Sequence, residues 1–187
     1  KGVMHTQNTL NAAVDCFVDA VCDGVSSPGR TADGPGYIFH MASTLAHQTG
    51  YLFGIRAPLT VGGHVVLQDV WDPSEFVDLI EQHQIQISMG ATPFLADVLA
   101  VEAVESRDLS SWKRFVCAGA AVPEPILEDA DARLPCVVLP GWGMTECGLL
   151  TVGRPSDSLA MRLADGRALP GNKVRVVNES GEPIIGT

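Results

Sequence analysis

One segment of the chain gathers groups that could hold a nucleotide. We call it the octet: Gly141-Trp142-Gly143-Met144-Thr145-Glu146-Cys147-Gly148. Its glycines let a ligand approach the backbone closely. The indole of Trp142 offers a flat apolar face, and the Thr145 hydroxyl can hydrogen-bond a phosphate. Glu146 is a hard oxygen ligand of the kind that magnesium prefers. The octet therefore predicts a nucleotide site.

A buried strand must position the octet. The apolar run over 137–139 comes directly before it and predicts a strand that leads into a glycine turn. Open α/β sheets usually bind ligands at the carboxyl ends of their strands. The alternative interpretation is a plain turn after a core strand, with Thr145 as a cap and Glu146 in solvent.

Two other segments could border the same ligand. The run over 118–123 lies between a predicted strand and a predicted helix, and its small side chains would let a flat ligand lie against backbone. A helix start also favours negative charge through its free N–H groups. The second segment, 43–50, carries His47. Both have a structural alternative: a turn packed with small residues, and a histidine satisfied by packing on a helix.

Apolar runs and amphipathic helices alternate along most of the chain. Helices are predicted to start near 6, 45, 72, 92 and 123, and strands to cover 37–41, 65–67, 85–89, 115–117 and 136–139. This alternation predicts parallel strands joined by helical crossovers. The segment 25–36 is predicted as a surface loop. After about Gly153 helix signals fade, and 173–177 alternates like a half-exposed strand.

The composition narrows the class of protein. With 187 residues the chain can form one domain with a real core. Its formal net charge of -10 argues against binding nucleic acid, which depends on clustered basic residues. No apolar run approaches the roughly 20 residues that span a bilayer. Five cysteines without a C-x-x-C pair predict reduced thiols in a cytoplasmic protein.

These segments together resemble the motifs of the adenylate-forming (AMP-binding) superfamily. The octet resembles its Tyr-Gly-x-Thr-Glu motif, with Trp142 in the aromatic position. The run over 118–123 resembles its Gly-Gly-Ala-Pro segment, although Ala120 replaces the second glycine. The run over 43–50 resembles Pro-Leu-x-His-x-x-Gly, with Thr44 in place of the proline. The run over 1–4 resembles the end of the family's phosphate loop, Pro-Lys-Gly-Val.

The resemblance implies the fold and the extent of the chain. It is similar to the acyl-CoA synthetase branch, and especially to cyclohexanecarboxylate and medium-chain fatty-acid CoA ligases. We expect an α/β fold with a parallel sheet flanked by helices, the central part of the large N-terminal domain, followed by the start of a small β-barrel subdomain. The expected boundaries are 1–36, 37–153 and 154–187. N-terminal and C-terminal parts of the same polypeptide are expected to be missing.

The resemblance also implies a reaction and its residues. A carboxylic acid, either a medium-chain fatty acid or an alicyclic acid, is activated with ATP and Mg²⁺ as an acyl-adenylate and passed to coenzyme A. Thr145 and Glu146 are the implied catalytic residues, with Glu146 on Mg²⁺. The implied acyl-binding residues are His47, Met144 and Gly119. The implied nucleotide-binding residues are Gly119, Ala120, Ala121, Gly141, Trp142, Gly143 and Thr145.

Other functions remain open from the sequence. An amino-acid or aryl-acid adenylation domain is the nearest alternative, although an amino-acid pocket usually carries an acidic residue near His47 and none lies between 40 and 67. A thiol hydrolase or acyltransferase would use Cys117 or Cys147 with a histidine, but neither lies in a recognisable nucleophile turn. The third alternative is a non-catalytic interaction fragment. The isolated fragment is expected to be inactive.

Overall fold

A computed structural model describes residues 2–25, 36–102 and 104–184. Residues 26–35 of the loop predicted over 25–36 lie outside the described residues, as does Lys1, which the resemblance places at the end of the phosphate loop. Among the helices that can be described, none is long and apolar enough to cross a membrane.

A seven-stranded sheet organises the chain in the order β2-β1-β3-β4-β5-β6-β7. The strands are β1 (Ile38–Met41), β2 (His64–Leu67), β3 (Ile87–Gly90), β4 (Arg114–Ala118), β5 (Val137–Met144), β6 (Gly148–Val152) and β7 (Arg167–Ala168). The helices are α1 (Gln7–Val21), a π-helix (Thr49–Arg56) that continues into α2 (Ala57–Val61), α3 (Pro73–His83), α4 (Thr92–Leu99), α5 (Glu124–Arg133) and α6 (Leu159–Arg162), with a short 3₁₀ turn at Val104–Ser106.

The predicted α/β fold is confirmed, with a mixed rather than wholly parallel sheet. Strands β1 to β5 pair in parallel, as the helical crossovers require. Strands β6 and β7 then add to the same sheet in antiparallel fashion. A tight turn is enough to join antiparallel strands, so no helix separates β5 from β6. The apolar run over 65–67 predicts a buried strand, but β2 lies at one edge of the sheet and is only half-buried.

Side-chain caps begin helices α3 and α1 where the sequence predicts them. Asp72 begins α3, because its Oδ1 accepts hydrogen bonds from the N–H groups of Ser74 (2.8 Å) and Glu75 (3.0 Å). Thr6 begins α1 in a reciprocal cap with Thr9. The run over 45–59 predicts one helix, but residues 45–47 form a turn, Thr49–Arg56 is a π-helix, and only Ala57–Val61 is α-helical.

Two apolar cores lie on opposite faces of the sheet. One joins the sheet to α1, the π-helix and α2, and the other joins it to α3, α4 and α5. Large buried side chains of the first core are Phe17, Met41, Leu52, Leu139 and Leu169. Those of the second are Phe76, Ile80, Leu95, Trp112 and Leu127.

The tail after Val152 is less regular than expected. The short helix α6 interrupts a region predicted to lack helices, and β7 joins the main sheet. The run predicted as a strand over 173–177 is exposed and forms one isolated bridge, between Val177 and Pro183. The residues Asn178-Glu179-Ser180-Gly181 predict a turn between them, and the turn is present, since the Gly181 N–H donates to the Asn178 carbonyl at 2.9 Å. The proposed start of a separate barrel at 154 stays a prediction.

His40 on β1 is buried as a neutral imidazole in the second core. It is 3% exposed, its ring centroid lies 4.3 Å from that of Phe76, and its Nε2 lies 3.3 Å from Gln68 Oε1. Loss of hydration disfavours the charged ring, so burial lowers the pKa of His40 from its ordinary 6.5 to about 4.

This burial predicts a loss of stability in acid. As the pH falls below 6.5, His40 becomes protonated in the unfolded chain. In the folded chain it stays neutral until the pH reaches about 4. The free energy of unfolding is therefore expected to fall by about 3 kcal/mol across that interval from this group. Urea unfolding at several pH values, compared with His40→Gln, measures the effect. An equally steep loss in His40→Gln would show that other groups cause it.

Candidate active site

A cavity of about 440 Å³ opens at the carboxyl edge of the parallel strands. Each of β1, β3, β4 and β5 contributes residues at or just beyond its carboxyl end, which is where open α/β sheets bind ligands. Its lining includes His47, Gln48, Met89, Gly119, Gly143, Met144, Thr145 and Glu146.

The octet forms a β-hairpin at this edge. Strand β5 continues through Met144 instead of ending near 139, and β6 returns from Gly148. Only residues 145–147 make the turn, so Thr145 and Glu146 are carried at its tip and are exposed. The strands approach closely at Gly143, where a Cβ atom would lie 2.2 Å from the Gly148 carbonyl oxygen. The octet glycine at 143 is therefore required by the hairpin itself.

The segment over 119–121 forms an open turn beside the hairpin. Gly119 has a φ of +94°, which side chains with a Cβ rarely adopt, and a Cβ there would meet open space. Thr92, at the start of α4, fixes the turn because its Oγ1 donates towards the carbonyl oxygens of Ala121 (3.1 Å) and Ala120 (3.4 Å). The β4–β5 register pairs Ala118 with Gly141, so this turn runs alongside the octet.

His47 lies two residues before the first residue of the π-helix and borders the cavity. Its Nδ1 accepts a hydrogen bond from the Thr49 N–H at 3.2 Å. An accepting Nδ1 carries no proton, so the neutral ring carries its proton on Nε2. The helix start thus fixes the orientation of the imidazole, and π-helical turns are often found at functional sites.

The structure brings together six of the predicted site residues and separates the others. His47, Gly119, Gly143, Met144, Thr145 and Glu146 all line the large cavity. Ala120, Ala121 and Gly141 instead line a narrow cleft of about 30 Å³. Trp142 lines neither of the two and is 41% exposed on β5.

The residues present fit a nucleotide with a bound magnesium ion. Glu146 places an exposed carboxylate at the cavity, whereas the described residues contain no group of three or more acidic, His or Cys side chains that could enclose a metal. Magnesium usually keeps only one or two carboxylates and takes its other oxygens from phosphates and water. One carboxylate beside an open, glycine-lined cavity suits that arrangement.

Sequence reasoning missed three residues at the site. Thr92 fixes the 119–121 turn, Gln48 borders the cavity, and His5 Nε2 lies 2.8 Å from the Thr145 carbonyl oxygen. Thr92 and His5 donate hydrogen bonds to backbone carbonyl oxygens. Every residue has such an oxygen, so the sequence does not indicate which one will be the partner. Gln48 adjoins His47 inside a motif and could have been considered for that reason.

The cysteines argue against thiol catalysis. All five are free. Burial raises the pKa of Cys117 to about 11, so this thiol is poorly suited to act as a nucleophilic thiolate. The Sγ atom of Cys147 contacts the carbonyl oxygens of Met144 (3.9 Å) and Gly148 (4.0 Å) rather than an activating base.

Comparison with known proteins gives matches over almost the whole chain. The family of AMP-binding enzymes matches residues 1–186. The medium-chain fatty-acid–CoA ligase of Escherichia coli (strain K12) is 30% identical over 185 residues, which cover 98% of this chain and 31% of that ligase. The chain therefore spans about a third of the length of this relative.

Solved structures show the same architecture. The amide bond synthetase McbA from Marinactinospora thermotolerans superposes with a TM-score of 0.80 at 27% identity, over 98% of this chain and 36% of that one. The o-succinylbenzoate coenzyme A synthetase MenE from Bacillus subtilis, solved with ATP and magnesium, gives a TM-score of 0.81 at 20% identity, over 98% and 36%. With a family match from end to end and the octet at the edge of the matching fold, this chain belongs to the AMP-binding enzyme family.

Proposed function

We propose that this chain is the central part of an ATP-dependent acyl-CoA synthetase acting on a medium-chain fatty or alicyclic acid. The single observation that carries the proposal is the convergence of His47, Gly119, Thr145 and Glu146 on one cavity. The E. coli relative, a medium-chain fatty-acid–CoA ligase, supports the substrate class. Coenzyme A as acceptor and a cytoplasmic location belong to the same proposal.

The cavity suits an acid lying between apolar and polar walls. Met144 and the buried Met89 give it an apolar side, whereas Thr145 and Glu146 give it a polar one. An acyl chain would lie towards the methionines and His47, with its carboxylate towards the hairpin tip. The phosphates would then meet the Thr145 hydroxyl, and the adenine would extend along the 119–121 turn towards Trp142.

The first half-reaction forms one bond and breaks another. A carboxylate oxygen attacks the α-phosphorus of ATP, the new O–P bond forms, and pyrophosphate leaves with the electron pair of the old one. Thr145 would donate a hydrogen bond to the α-phosphate as negative charge develops on it, and Glu146 would hold the magnesium ion. Bound magnesium would neutralise part of the phosphate charge. In the second half-reaction the sulfur of coenzyme A attacks the acyl carbon and the C–S bond forms. The C–O bond to the phosphate breaks, AMP leaves with its electron pair, and the thiol proton passes to solvent.

Positioning, rather than covalent catalysis, is the protein's contribution to this reaction. The first half-reaction needs the carboxylate held in line with the α-phosphate, and the second needs the thiol held against the acyl carbon. Holding each pair in place lowers the entropic part of the barrier. The hairpin is suited to this because its strands pair with each other and β5 pairs with β4. The 119–121 turn directly follows β4 and is held by the hydrogen bonds of Thr92.

Acid-dependent exchange of labelled pyrophosphate into ATP tests the proposal. We expect the complete protein that contains this chain to exchange with octanoate or cyclohexanecarboxylate and not with amino acids. We expect the chain alone to form no acyl-AMP, since it spans about a third of the E. coli relative. Exchange with amino acids alone would favour the adenylation-domain alternative, and no exchange with any acid would refute the proposal.

A further inference from the structure

The N-terminal segment is tied to the tip of the octet hairpin. His5 Nε2 lies 2.8 Å from the Thr145 carbonyl oxygen, although the two residues are 140 positions apart in sequence. A carbonyl oxygen can only accept, so the ring donates from Nε2. This contact ties the residues that lead into α1 to Thr145, the residue directly before Glu146.

A helix cap fixes the backbone next to His5. It immediately precedes Thr6, whose Oγ1 accepts from the Thr9 N–H at 3.2 Å while Thr9 Oγ1 accepts from the Thr6 N–H at 3.0 Å. This reciprocal cap fixes the direction in which the chain enters α1. The imidazole is therefore presented from a helix end and not from a freely moving terminus.

Helix α1 also meets the hairpin on the other side of its turn. A Cβ atom on Gly148 would lie 3.1 Å from Ala13 Cβ, so helix and strand pack there with little space to spare. His5 thus contacts the first residue of the turn, and Ala13 packs against the residue directly after it. Glu146 lies between these two points, and it shares a second cavity of about 280 Å³ with His5.

We infer that His5 is a positioning residue for Glu146, acting through its hydrogen bond to the Thr145 carbonyl. The inference rests on the proposed function, because it assigns Glu146 to the magnesium ion of bound ATP. A turn of three residues has few internal constraints, so a tether on its first carbonyl restricts where the next carboxylate points. Groups that orient metal ligands in this way commonly change metal affinity or activity by about tenfold to a hundredfold when removed.

The experiment compares three variants of the complete protein in acid-dependent ATP–pyrophosphate exchange. His5→Leu removes the donor, and His5→Gln restores an N–H near the Nε2 position. His64→Leu is the matched control, since His64 is exposed on the outer strand β2. We expect His5→Leu to lower kcat/KM for Mg-ATP about tenfold or more with an unchanged KM for the acid. His5→Gln is expected to stay within about threefold of the unmodified protein.

Equal kcat/KM for Mg-ATP in His5→Leu and the unmodified protein would overturn the inference. So would equal losses in His5→Leu and His5→Gln, since the donor would then be irrelevant, or a parallel rise in both KM values, which indicates general damage. Should His5→Leu not fold, His5→Asn replaces it, because its shorter amide does not reach the carbonyl.

Amide hydrogen exchange tests the role of His5 without measuring catalysis, so it separates this inference from the proposed function. The Cys147 N–H donates to the Met144 carbonyl at 3.1 Å across the same turn. Amide hydrogen exchange at Cys147 is expected to quicken about tenfold in His5→Leu and to stay unchanged in His5→Gln. Unmodified protein without exchange activity would refute the synthetase, whereas unchanged amide protection in His5→Leu would refute the tether.

Discussion

Replacing Glu146 with alanine in the complete protein is expected to lower acid-dependent ATP–pyrophosphate exchange at least about a hundredfold. The physical reason is the position of its carboxylate at the exposed tip of the hairpin, at the edge of the large cavity. No other acidic side chain lines that cavity within the described parts of the chain. Loss of this charge therefore leaves the metal without a protein carboxylate there.

Two further variants make the Glu146 result specific. Glu146→Gln keeps the size of the side chain and removes the charge, so it is expected to resemble Glu146→Ala. Glu128→Gln is the matched control, because Glu128 is exposed on α5, away from the cavity. If the Glu146→Ala variant catalyses ATP–pyrophosphate exchange within about threefold of the unmodified rate, Glu146 does not bind the magnesium ion. Circular dichroism should show the same folded spectrum for all three, since Glu146 is exposed.

Trp112→Ala is expected to cost about 3–5 kcal/mol of the free energy of unfolding. The indole is fully buried, and its ring lies 5.3 Å from Phe76 and 5.9 Å from Phe115, both in edge-to-face contact. Its Nε1–H donates to Ser88 Oγ at 2.8 Å. Truncation opens a cavity in the second core and also leaves the buried Ser88 hydroxyl without this partner.

A second tryptophan provides the control for this measurement. Trp142 is 41% exposed on β5, and Trp142→Ala is expected to cost less than about 1 kcal/mol. Urea unfolding followed by far-ultraviolet circular dichroism compares the two without relying on tryptophan emission. Equal losses would mean that the second core does not depend on Trp112. A large loss of exchange activity with Trp142→Ala, and little loss of stability, would support contact with the nucleotide.

The sequence predicts those parts of the fold that depend on local signals. Asp72 and Thr6 cap their helices with short-range hydrogen bonds, so both helix starts are readable from residue types alone. The central strands are apolar because both of their faces are covered, and such runs are also recognisable. Six of the predicted site residues meet at one cavity because their segments each end a parallel strand or follow one.

Other parts depend on partners far away in the sequence. Gly141 and Gly143 suggest a turn, yet β4 pairs with the segment as far as Gly141 and β6 pairs with it as far as Met144, which keeps it extended. Tertiary pairing thus overrides the local preference. The contacts of Thr92 and His5 end on backbone carbonyls, whose positions follow only from the fold. The π-helix is predicted only as a helix, because the spacing of apolar residues does not distinguish π-helical from α-helical winding.

The π-helix changes what a deletion of one residue would do to the direction of His47. Each residue of an ordinary α-helix turns the chain by about 100°, so a deletion from such a helix rotates everything before it by about that angle. A π-helix spaces its hydrogen bonds one residue wider than an α-helix. Deleting one residue between 49 and 56 would therefore let the segment relax to α-helical winding with its two ends in nearly the same relative orientation. The imidazole of His47 would then keep its place at the cavity, and homologous chains that are one residue shorter here would keep this wall of the site.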